Sequence, residues 1–351
     1  MTSSNVFLVT GGAGFIGSNL VRLLLRQAAK VRVLDDFSTG RWENLAEISN
    51  DIEVMEGDVR DPRTVKRAAA GTRGIFHLAA LPAALPDKDE TRMLDVNVRG
   101  TLCALIAARD SRVPLVFTSS AAVYGDRDAY LLHEKMPPEP RTQLGAQKLA
   151  GENYCKLFTD SYGTRTTILR LFNVYGPWEN GASPHASVVA RFAHALVRGQ
   201  TPTLFGDGSQ TRDFVYVSNV CEALCRAIRA IDAAGEVLNI GTGDGLALNL
   251  LYNQMADLCG IKRAPRRGPA KPGDLRHIRA ALGHATKLLK YAPQVRTREG
   301  LSKTIAWHRE QAGKQNKTNW FTPADTAEIT LEDPDTVDDE IPIYEVEEVT
   351  A

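Results

Sequence analysis

The sequence predicts an α/β fold in which a doubly wound parallel sheet is followed by a smaller C-terminal lobe. A short apolar run, NVFLV at 5–9, is typical of a buried parallel strand and leads directly into the glycine-rich stretch TGGAGFIG. Two further runs, KVRVLDD and GIFHLAA, continue the pattern of strands separated by helical segments. This β-α-β succession places parallel strands side by side with helices on both faces, so we expect a Rossmann-type sheet.

The composition limits the classes of partner and site. Of the 351 residues, 43% are hydrophobic, and 42 Lys and Arg balance 42 Asp and Glu, so we expect neither nucleic acid nor an anionic membrane as the main partner. No apolar run approaches the roughly 20 residues of a membrane-spanning helix, and the N-terminus lacks the pattern of a secretory signal, so we expect a cytoplasmic protein. The five cysteines form no C-x-x-C pair and the histidines are scattered, so we expect no metal.

The glycine-rich stretch predicts a pyrophosphate site. Gly12, Gly14 and Gly17 satisfy G-x-G-x-x-G, and Gly11, Gly14 and Gly17 satisfy G-x-x-G-x-x-G. Glycines at these positions let the backbone turn tightly and let a pyrophosphate approach the free N–H groups at the start of a helix. The strand before the motif and the amphipathic helix after it supply the context that the motif requires.

The end of the second predicted strand indicates which dinucleotide binds. Asp35 lies eighteen residues beyond Gly17, where a carboxylate can accept hydrogen bonds from the ribose hydroxyls and would repel a 2′-phosphate. We therefore expect NAD rather than NADP. Asp58 and Val59, at another strand end, suit an adenine edge, and residues 78–80 are small enough to lie along the cofactor.

Ten segments of the chain resemble one family. They are TGGAGFIGSNL, VLDDFSTGRWENL, GDVRD, HLAA, DVNVRGT, FTSSAAVYGD, RLFNVYGP, LFGDGSQTRDFVYV, LNIGTGDG and KPGDLRHIRA. On these motifs the chain resembles the extended short-chain dehydrogenase/reductases, specifically the NAD-dependent nucleotide-sugar epimerases and dehydratases. The resemblance implies NAD in the first lobe and a UDP-, GDP-, CDP- or TDP-sugar in the second. A UDP-sugar is favoured, and a GDP-sugar is the main alternative.

For the cofactor, the motifs and the resemblance together imply one set of residues. Asn97 is expected to brace helix and sheet near the nicotinamide, and Lys148 is expected to hold the nicotinamide ribose. The expected cofactor site comprises Gly11, Gly14, Phe15, Ile16, Gly17, Asp35, Asp36, Ser38, Thr39, Gly40, Asp58, Val59, Leu78, Ala79, Ala80, Asn97, Thr118 and Lys148.

For the substrate, the resemblance implies contacts from both lobes. Ser120 matches the serine that hydrogen-bonds the reacting sugar hydroxyl, and Arg212 matches a phosphate-binding arginine, whose planar fork suits that role. Dehydratases of the family tend to have an Asp-Glu pair just after the serine, where this chain has Ala121 and Ala122, which argues against a 4,6-dehydratase of the usual type. The expected substrate contacts are Ser120, Asn173, Ser187, Val188, Thr203, Phe205, Arg212, Lys271 and Asp274.

The active-site helix of the family carries a tyrosine four residues before the lysine, but this chain has Leu144. In the family, the lysine lowers the pKa of the tyrosine, which then removes the proton of the sugar hydroxyl while hydride passes to NAD. A well-placed general base accelerates a reaction by about 10²–10⁴. Leucine cannot carry a proton, and TQLGAQK also departs from the usual SPYGASK at Gln143 and Gln147.

Three hypotheses account for Leu144. We favour an epimerase that acts through a transient keto-sugar, with C4 as the preferred carbon and a relocated proton acceptor. Its expected catalytic residues are Lys148, Ser120 and Tyr124, where Tyr124 is the nearest candidate for the acceptor. Three other ionisable side chains, His185, His133 and Glu134, are expected to contact sugar or solvent.

The second hypothesis is another NAD-cycling reaction on a nucleotide sugar, such as oxidation, decarboxylation, epimerisation at another carbon or an atypical dehydration. The third is a catalytically silent homologue that binds NAD and a nucleotide sugar. The motif glycines, Asp35, Ser120, Lys148, Asn173 and Arg212 are all present, and a chain freed from catalysis need not keep Lys148. We therefore rank the silent homologue last.

The expected domains are an NAD-binding Rossmann domain at 1–175, to which 215–245 returns, a nucleotide-sugar-binding lobe at 176–214 and 246–312, and a flexible acidic tail at 313–351. The last thirty-one residues contain eleven Asp or Glu and no Lys or Arg. The resemblance further implies a homodimer formed by the helix after Leu94 and the helix after Leu144, which together would make a four-helix interface.

Overall fold

A computed structural model of the chain describes residues 5–82, 90–126, 131–270 and 278–318. Its strands are β1 (Val6–Thr10), β2 (Lys30–Asp35), β3 (Ile52–Glu56), β4 (Gly74–His77), β5 (Leu115–Ser120), β6 (Thr166–Leu171), β7 (Asn173–Tyr175), β8 (Thr203–Phe205), β9 (Thr211–Arg212), β10 (Phe214–Tyr216), β11 (Val237–Ile240), β12 (Leu246–Ala247) and β13 (Arg266–Gly268). Its α-helices are α1 (Phe15–Arg26), α2 (Pro62–Ala69), α3 (Glu90–Leu94), α4 (Gly100–Ser111), α5 (Gln143–Tyr162), α6 (Val188–Val197), α7 (Val217–Ala227), α8 (Leu248–Leu258), α9 (Gly283–Leu289) and α10 (Thr297–Thr318).

Seven parallel strands of the described residues form one sheet, in the order β11-β6-β5-β4-β1-β2-β3. The chain moves outward from β1 to β2 and β3, and then returns to the other side of β1 with β4. The loops that follow β1 and β4 therefore leave in opposite directions and open a crevice at the carboxyl end of the sheet. In open α/β sheets, ligands bind at this switch point. The expected doubly wound fold is confirmed.

Helices cover both faces of the sheet, and each face has its own apolar core. On one face, Leu20 and Leu24 of α1 belong to the same buried cluster as Leu224 of α7. On the other face, Leu105 of α4 and Phe158 of α5 belong to a second buried cluster. The strands between these layers are apolar on both sides, which explains why the run NVFLV does not alternate.

Local signals fix where the helices start and stop. Asp61 caps α2 by accepting hydrogen bonds from the N–H groups of Arg63 and Thr64, at 3.0 and 3.3 Å. Thr142 caps α5 by accepting a hydrogen bond from the N–H group of Gly145 at 3.1 Å. This helix ends at Gly163, whose φ of +65° is the left-handed conformation that glycine adopts most easily.

The remaining strands make three small pairs, and their strands come after β6 in the chain, on either side of β11. β7 pairs with β10 and β8 with β13, both in parallel, and β9 pairs with β12 antiparallel. Contacts divide the chain into two units, Met1–Ala312 and Gly313–Ala351. The acidic residues 321–351 lie outside the described residues.

Two general features complete the description. All five cysteines are free, and four of them are buried. Among the described residues, no helix combines the length and apolar character needed to cross a membrane. In the same ranges, no three His, Cys, Asp or Glu side chains are grouped closely enough to hold a metal ion.

Candidate active site

The glycine-rich loop between β1 and α1 leaves no room for side chains. A Cβ atom on Gly11, whose φ is +70°, would lie 2.7 Å from the backbone nitrogen of Ala79, and a Cβ on Gly17 would overlap the carbonyl oxygen of Gly11. Gly14 precedes the first turn of α1 and supplies no side-chain cap. The N–H groups of this turn thus remain available to an anion, and a dinucleotide pyrophosphate fits this cradle.

Asp35 lies at the end of β2 and is held by the backbone on both sides. Its Oδ2 accepts a hydrogen bond from the N–H group of Ala13 at 2.9 Å, and its Oδ1 accepts one from Phe37 at 2.9 Å. Burial raises the pKa of Asp35, and these two hydrogen bonds oppose the rise. Each oxygen retains a second lone pair that can accept a ribose hydroxyl. Gly40 permits this approach, because a Cβ atom there would lie 2.6 Å from Oδ1.

A cavity of about 360 Å³ runs from the end of β2 to the end of β5. Fifteen of the expected cofactor residues line it, namely Gly11, Gly14, Phe15, Ile16, Gly17, Asp35, Asp36, Ser38, Thr39, Gly40, Val59, Leu78, Ala79, Ala80 and Thr118. The cavity wall also includes Leu34, Gly57, Leu81, Pro82 and Val96, which the sequence analysis did not single out. We call this space the first cavity.

Three expected cofactor residues do not line the first cavity. Asp58 forms an ion pair with Arg60, whose Nη2 lies 2.6 Å from Oδ2. Asn97 accepts a hydrogen bond from the N–H group of Leu81 at 2.8 Å and donates one to the carbonyl oxygen of Leu81 at 3.1 Å. Because Leu81 lines the cavity, Asn97 fixes the shape of the wall. The third residue is Lys148.

Lys148 is linked to the first cavity by a contact with the backbone of β5. Its Nζ donates a hydrogen bond to the carbonyl oxygen of Thr118 at 2.7 Å, and lies 4.9 Å from the centre of the Phe117 ring. Burial lowers the pKa of Lys148 to about 8, against the opposing influence of Glu152. Lys148 is therefore a cation at neutral pH. Its hydrogen-bond partner, Thr118, lies two residues before Ser120 on β5.

Ser120 and the start of α5 lie side by side. Ser120 accepts a hydrogen bond from the N–H group of Ala122 at 3.1 Å and begins the 3₁₀ turn Ala121–Tyr124. A Cβ atom on Gly145 would lie 2.6 Å from the carbonyl oxygen of Ala122, so α5 approaches this turn closely. Leu144, on the first turn of α5, is half-buried and lies one helical turn before Lys148.

Tyr124 is placed in the protein core. It is 0% exposed, and its hydroxyl donates a hydrogen bond to Oδ1 of Asn239 at 2.7 Å. The guanidinium of Arg170 lies 4.6 Å from its ring centre, and burial raises the pKa of Tyr124. A hydroxyl that is committed to Asn239 and hard to ionise is poorly suited to accept a substrate proton. This placement does not support Tyr124 as the relocated acceptor.

The other ionisable candidates also lie away from the first cavity. Glu134 accepts a hydrogen bond from the N–H group of Asn239 at 2.8 Å, and His133 is exposed. His185 lies on the segment before α6, where its backbone N–H bonds to Ser183 at 3.2 Å. Within the described residues, the ionisable side chains that line the first cavity are Asp35 and Asp36, at the end of β2.

A second cavity, of about 450 Å³, lies among the small strand pairs and α6. Six of the expected substrate residues line it, namely Asn173, Ser187, Val188, Thr203, Phe205 and Arg212. Ser120 lines neither this cavity nor the first one. Lys271 and Asp274 lie outside the described residues.

Arg191 was missed by the sequence analysis and also lines the second cavity. Arg191 and Arg212 therefore both line one cavity, and arginine side chains can bind phosphate oxygens through paired N–H donors. The signal was available: Arg191 lies four residues after Ser187 and three after Val188, so helical periodicity puts it on the same face.

A glycine cradle at the switch point of the sheet, with an acidic residue at the end of the next strand, defines a dinucleotide-binding protein. The second cavity, which two arginines line, is a candidate site for an anionic ligand. Residues 7–241 match the model of the NAD dependent epimerase/dehydratase family. The chain belongs to this family, and its cofactor is NAD.

Three similar proteins illustrate the family. A UDP-glucose 4-epimerase of Mycolicibacterium smegmatis is 39% identical over 313 residues, which cover 87% of this chain and 99% of the relative. The crystal structure of UDP-glucose 4-epimerase from Thermotoga maritima with UDP-glucose has a TM-score of 0.83 at 32% identity, and covers 88% of this chain and 99% of its own. The Thermus thermophilus UDP-glucose 4-epimerase complex with NAD has a TM-score of 0.77 at 34% identity. The match covers 87% of this chain and 99% of the Thermus chain.

Proposed function

We propose that the protein is a UDP-sugar epimerase that acts at C4 through a transient keto-sugar, with a proton acceptor other than the tyrosine of the family. The observation that supports this most directly is the arrangement along β5. Thr118 lines the first cavity, and Ser120 lies two residues further along β5. The buried cation of Lys148 donates a hydrogen bond to the carbonyl oxygen of Thr118. The matched 4-epimerases, which act on or bind UDP-glucose by name, favour this substrate class.

The side chains have separate roles in this proposal. Bound NAD supplies a hydride acceptor that later returns the hydride to the sugar. The Lys148 ammonium holds the nicotinamide ribose and favours negative charge developing nearby. Ser120 hydrogen-bonds the reacting hydroxyl, while Arg212 and Arg191 hold the diphosphate in the second cavity.

The proton of the sugar hydroxyl needs an acceptor that Leu144 cannot provide. Because Tyr124 is committed to Asn239, we propose that Ser120 passes this proton to water. A hydroxyl with no adjacent base is a weak relay, and a missing general base costs about 10²–10⁴ in rate. We therefore expect slow turnover, on the scale of minutes to hours in a concentrated sample.

Other NAD-cycling reactions remain the second candidate. Oxidation or decarboxylation of a UDP-sugar would use the same two cavities and would require Lys148 in the same role. A 4,6-elimination is less well supported, because the turn after Ser120 carries Ala121 and Ala122 and so offers no acid or base at that place.

We also propose a homodimer formed by α3, α4 and α5, in the cytoplasm. Leu94, Val98, Leu102 and Ile106 recur every four residues along consecutive helical segments, and none of them is buried. On α5, Leu157 is 48% exposed, and Leu94 is 51% exposed. An apolar stripe of this kind on two neighbouring helices suits a four-helix interface with a second copy.

The test is proton NMR of the protein with NAD and, in turn, UDP-glucose, UDP-galactose and their N-acetyl forms. A second anomeric doublet that grows to a fixed ratio is expected for at least one sugar. A Lys148→Met variant, prepared in the same way, controls for a contaminating epimerase and should leave the spectrum unchanged. Broadened but otherwise constant ligand signals in the unsubstituted protein would instead indicate another reaction or a silent binder.

A further inference from the structure

The segment Pro177–Glu179, just before α6, is held by residues distant in the chain. Asn19 of α1 donates a hydrogen bond from Nδ2 to the carbonyl oxygen of Pro177 at 3.0 Å. The guanidinium of Arg22 lies 3.7 Å from the centre of the Trp178 ring, which also lies 5.7 Å from the ring of Trp307. Trp178 has a φ of +71°, a strained conformation for a bulky residue that persists only where surrounding contacts impose it.

The next residue, Glu179, holds the start of α6. Its Oε1 accepts a hydrogen bond from the N–H group of Ser187 at 2.7 Å, and its Oε2 accepts one from the hydroxyl of Ser187 at 2.9 Å. Ser187 in turn caps α6, because its Oγ accepts a hydrogen bond from the N–H group of Ala190 at 3.2 Å. A single carboxylate therefore fixes both the backbone and the side chain of the capping residue.

The first turn of α6 is also a wall of the second cavity. Ser187, Val188 and Arg191 all line it, although Glu179 itself does not. A change at Glu179 would therefore move cavity residues without removing any of them. This separates Glu179 from residues that contact a ligand directly.

The two hydrogen bonds are strongest when Glu179 is a carboxylate, because its charge assists both of them. Part of the side chain reaches the surface, but the carboxyl group is withdrawn from solvent, and this burial raises its pKa to about 7. The two donors of Ser187 and the positive charge of Arg191 on α6 oppose the rise. His185 is the other titratable side chain on the segment that leads to Ser187. Below the pKa, the carboxyl group loses the charge that strengthens both hydrogen bonds, and its protonated oxygen becomes a weaker acceptor.

We propose that Glu179 is a positioning residue for nucleotide binding: its carboxylate holds Ser187, and thereby the first turn of α6, in the geometry that receives a nucleoside diphosphate, and protonation releases this turn. The assignment of the ligand class rests on the proposed function, in which the second cavity holds the UDP moiety. The hold on α6 is a property of the protein alone and can be measured without a ligand.

The first experiment measures the Kd of UDP by calorimetry on the full-length protein with NAD, at pH 6 and pH 8. Glu179→Gln should bind UDP several-fold more weakly than the unsubstituted protein at pH 8, and about equally at pH 6. The limiting effect of one titrating group is about tenfold per pH unit. The UDP phosphate itself titrates near pH 6, so the comparison is between proteins at each pH. Glu299→Gln is the matched control, because Glu299 is exposed and pairs with Lys303 of the same helix, α10. If the Kd of Glu179→Gln divided by that of the unsubstituted protein is the same at both pH values, the proposal is overturned.

The second experiment follows hydrogen exchange of the amides of Ser187 and Ala190, without ligand. Their protection should fall in Glu179→Ala, and should fall in the unsubstituted protein between pH 8 and pH 6 after correction for the intrinsic exchange rate. If Glu179→Ala does not fold, Glu179→Gln and Ser187→Ala give the same comparison. Equal protection in all proteins would refute the role of Glu179. Failure of UDP to bind any protein, with the exchange pattern as expected, would instead count against the UDP-sugar function.

Discussion

Gln147 links two neighbouring helical segments at the active site. Its Oε1 accepts a hydrogen bond from Nδ2 of Asn97 at 2.7 Å, and Asn97 also holds both backbone polar atoms of Leu81. Gln147 thus belongs to the support of the cavity wall, whereas Leu144, one turn earlier, contributes only apolar surface. Lys148, the residue after Gln147, carries the charge on this part of the helix.

The first prediction concerns Leu144. Leu144→Tyr should raise 4-epimerase turnover by between tenfold and about 10⁴, because it restores a phenol one helical turn from the Lys148 cation. Phenylalanine is nearly as large as tyrosine but has no hydroxyl, so Leu144→Phe should give no gain in turnover. The measurement is the initial rate of anomeric interconversion by NMR. An equal rate in all three proteins would mean that the pocket has been rebuilt for another reaction.

The second prediction concerns Tyr124. Tyr124→Phe should leave turnover unchanged and lower the free energy of unfolding by about 1–3 kcal/mol, because Oδ1 of Asn239 loses its buried donor. Urea unfolding and the NMR rate assay measure the two effects separately. A variant that folds normally but has lost turnover would identify Tyr124 as the proton acceptor after all.

At the scale of elements, α5 is fastened to the sheet by a buried ion pair. Arg170 of β6 donates to Glu152 of α5 from Nε at 2.9 Å and from Nη2 at 2.7 Å, and the hydroxyl of Ser119 on β5 donates to Glu152 at 2.5 Å. Glu152 and Arg170 are 1% and 2% exposed. The helix that carries Lys148 therefore has one fixed position relative to β5.

The third prediction tests this connection. Glu152→Ala should lower the free energy of unfolding by about 3–5 kcal/mol, because it leaves the Arg170 charge buried and unpaired. A Glu152→Met/Arg170→Met double variant removes both charges and should recover much of that loss. Urea denaturation of the two variants gives the comparison. A single variant as stable as the unsubstituted protein would show that water reaches Arg170 and replaces its partner.

The elements that the sequence predicted best are those set by local chemistry. The glycine loop, Asp35 and the residues 78–80 lie at the ends of strands whose apolar runs are unambiguous, and the structure brings them together around one cavity. Tyr124 shows the limit of this reasoning. Its place after Ser120 suggested a position at the substrate edge of the site, but its hydrogen-bond partner, Asn239, is 115 residues away in the chain. The sequence contains no local sign of such a contact, nor of the pairing between Glu179 and Ser187.

At the scale of the whole molecule, the half-buried and exposed apolar side chains on α3, α4 and α5 form the surface on which we propose that a second copy binds. The fourth prediction is that Leu94→Asp or Leu157→Asp converts a dimer into a monomer, because a buried and unpaired carboxylate is costly at an interface. Ile231→Asp is the control, since Ile231 is 69% exposed and lies outside these helices. Size-exclusion chromatography with light scattering measures the mass. A monomer before any substitution, or dimers throughout, would refute the proposed interface.

The strand order of the sheet also affects how the protein is made. β1 pairs with β4 through Phe7 and Gly74, and the edge strand β11 pairs with β6 through Val237 and Ile168, so each pairing joins residues more than sixty positions apart. During synthesis, β6 leaves the ribosome well before β11. Every residue of β6 is buried in the finished sheet, so its free edge offers unpaired backbone groups to other chains until residue 240 has emerged. The yield of folded protein in a producing cell should therefore depend on the rate of translation between these two strands.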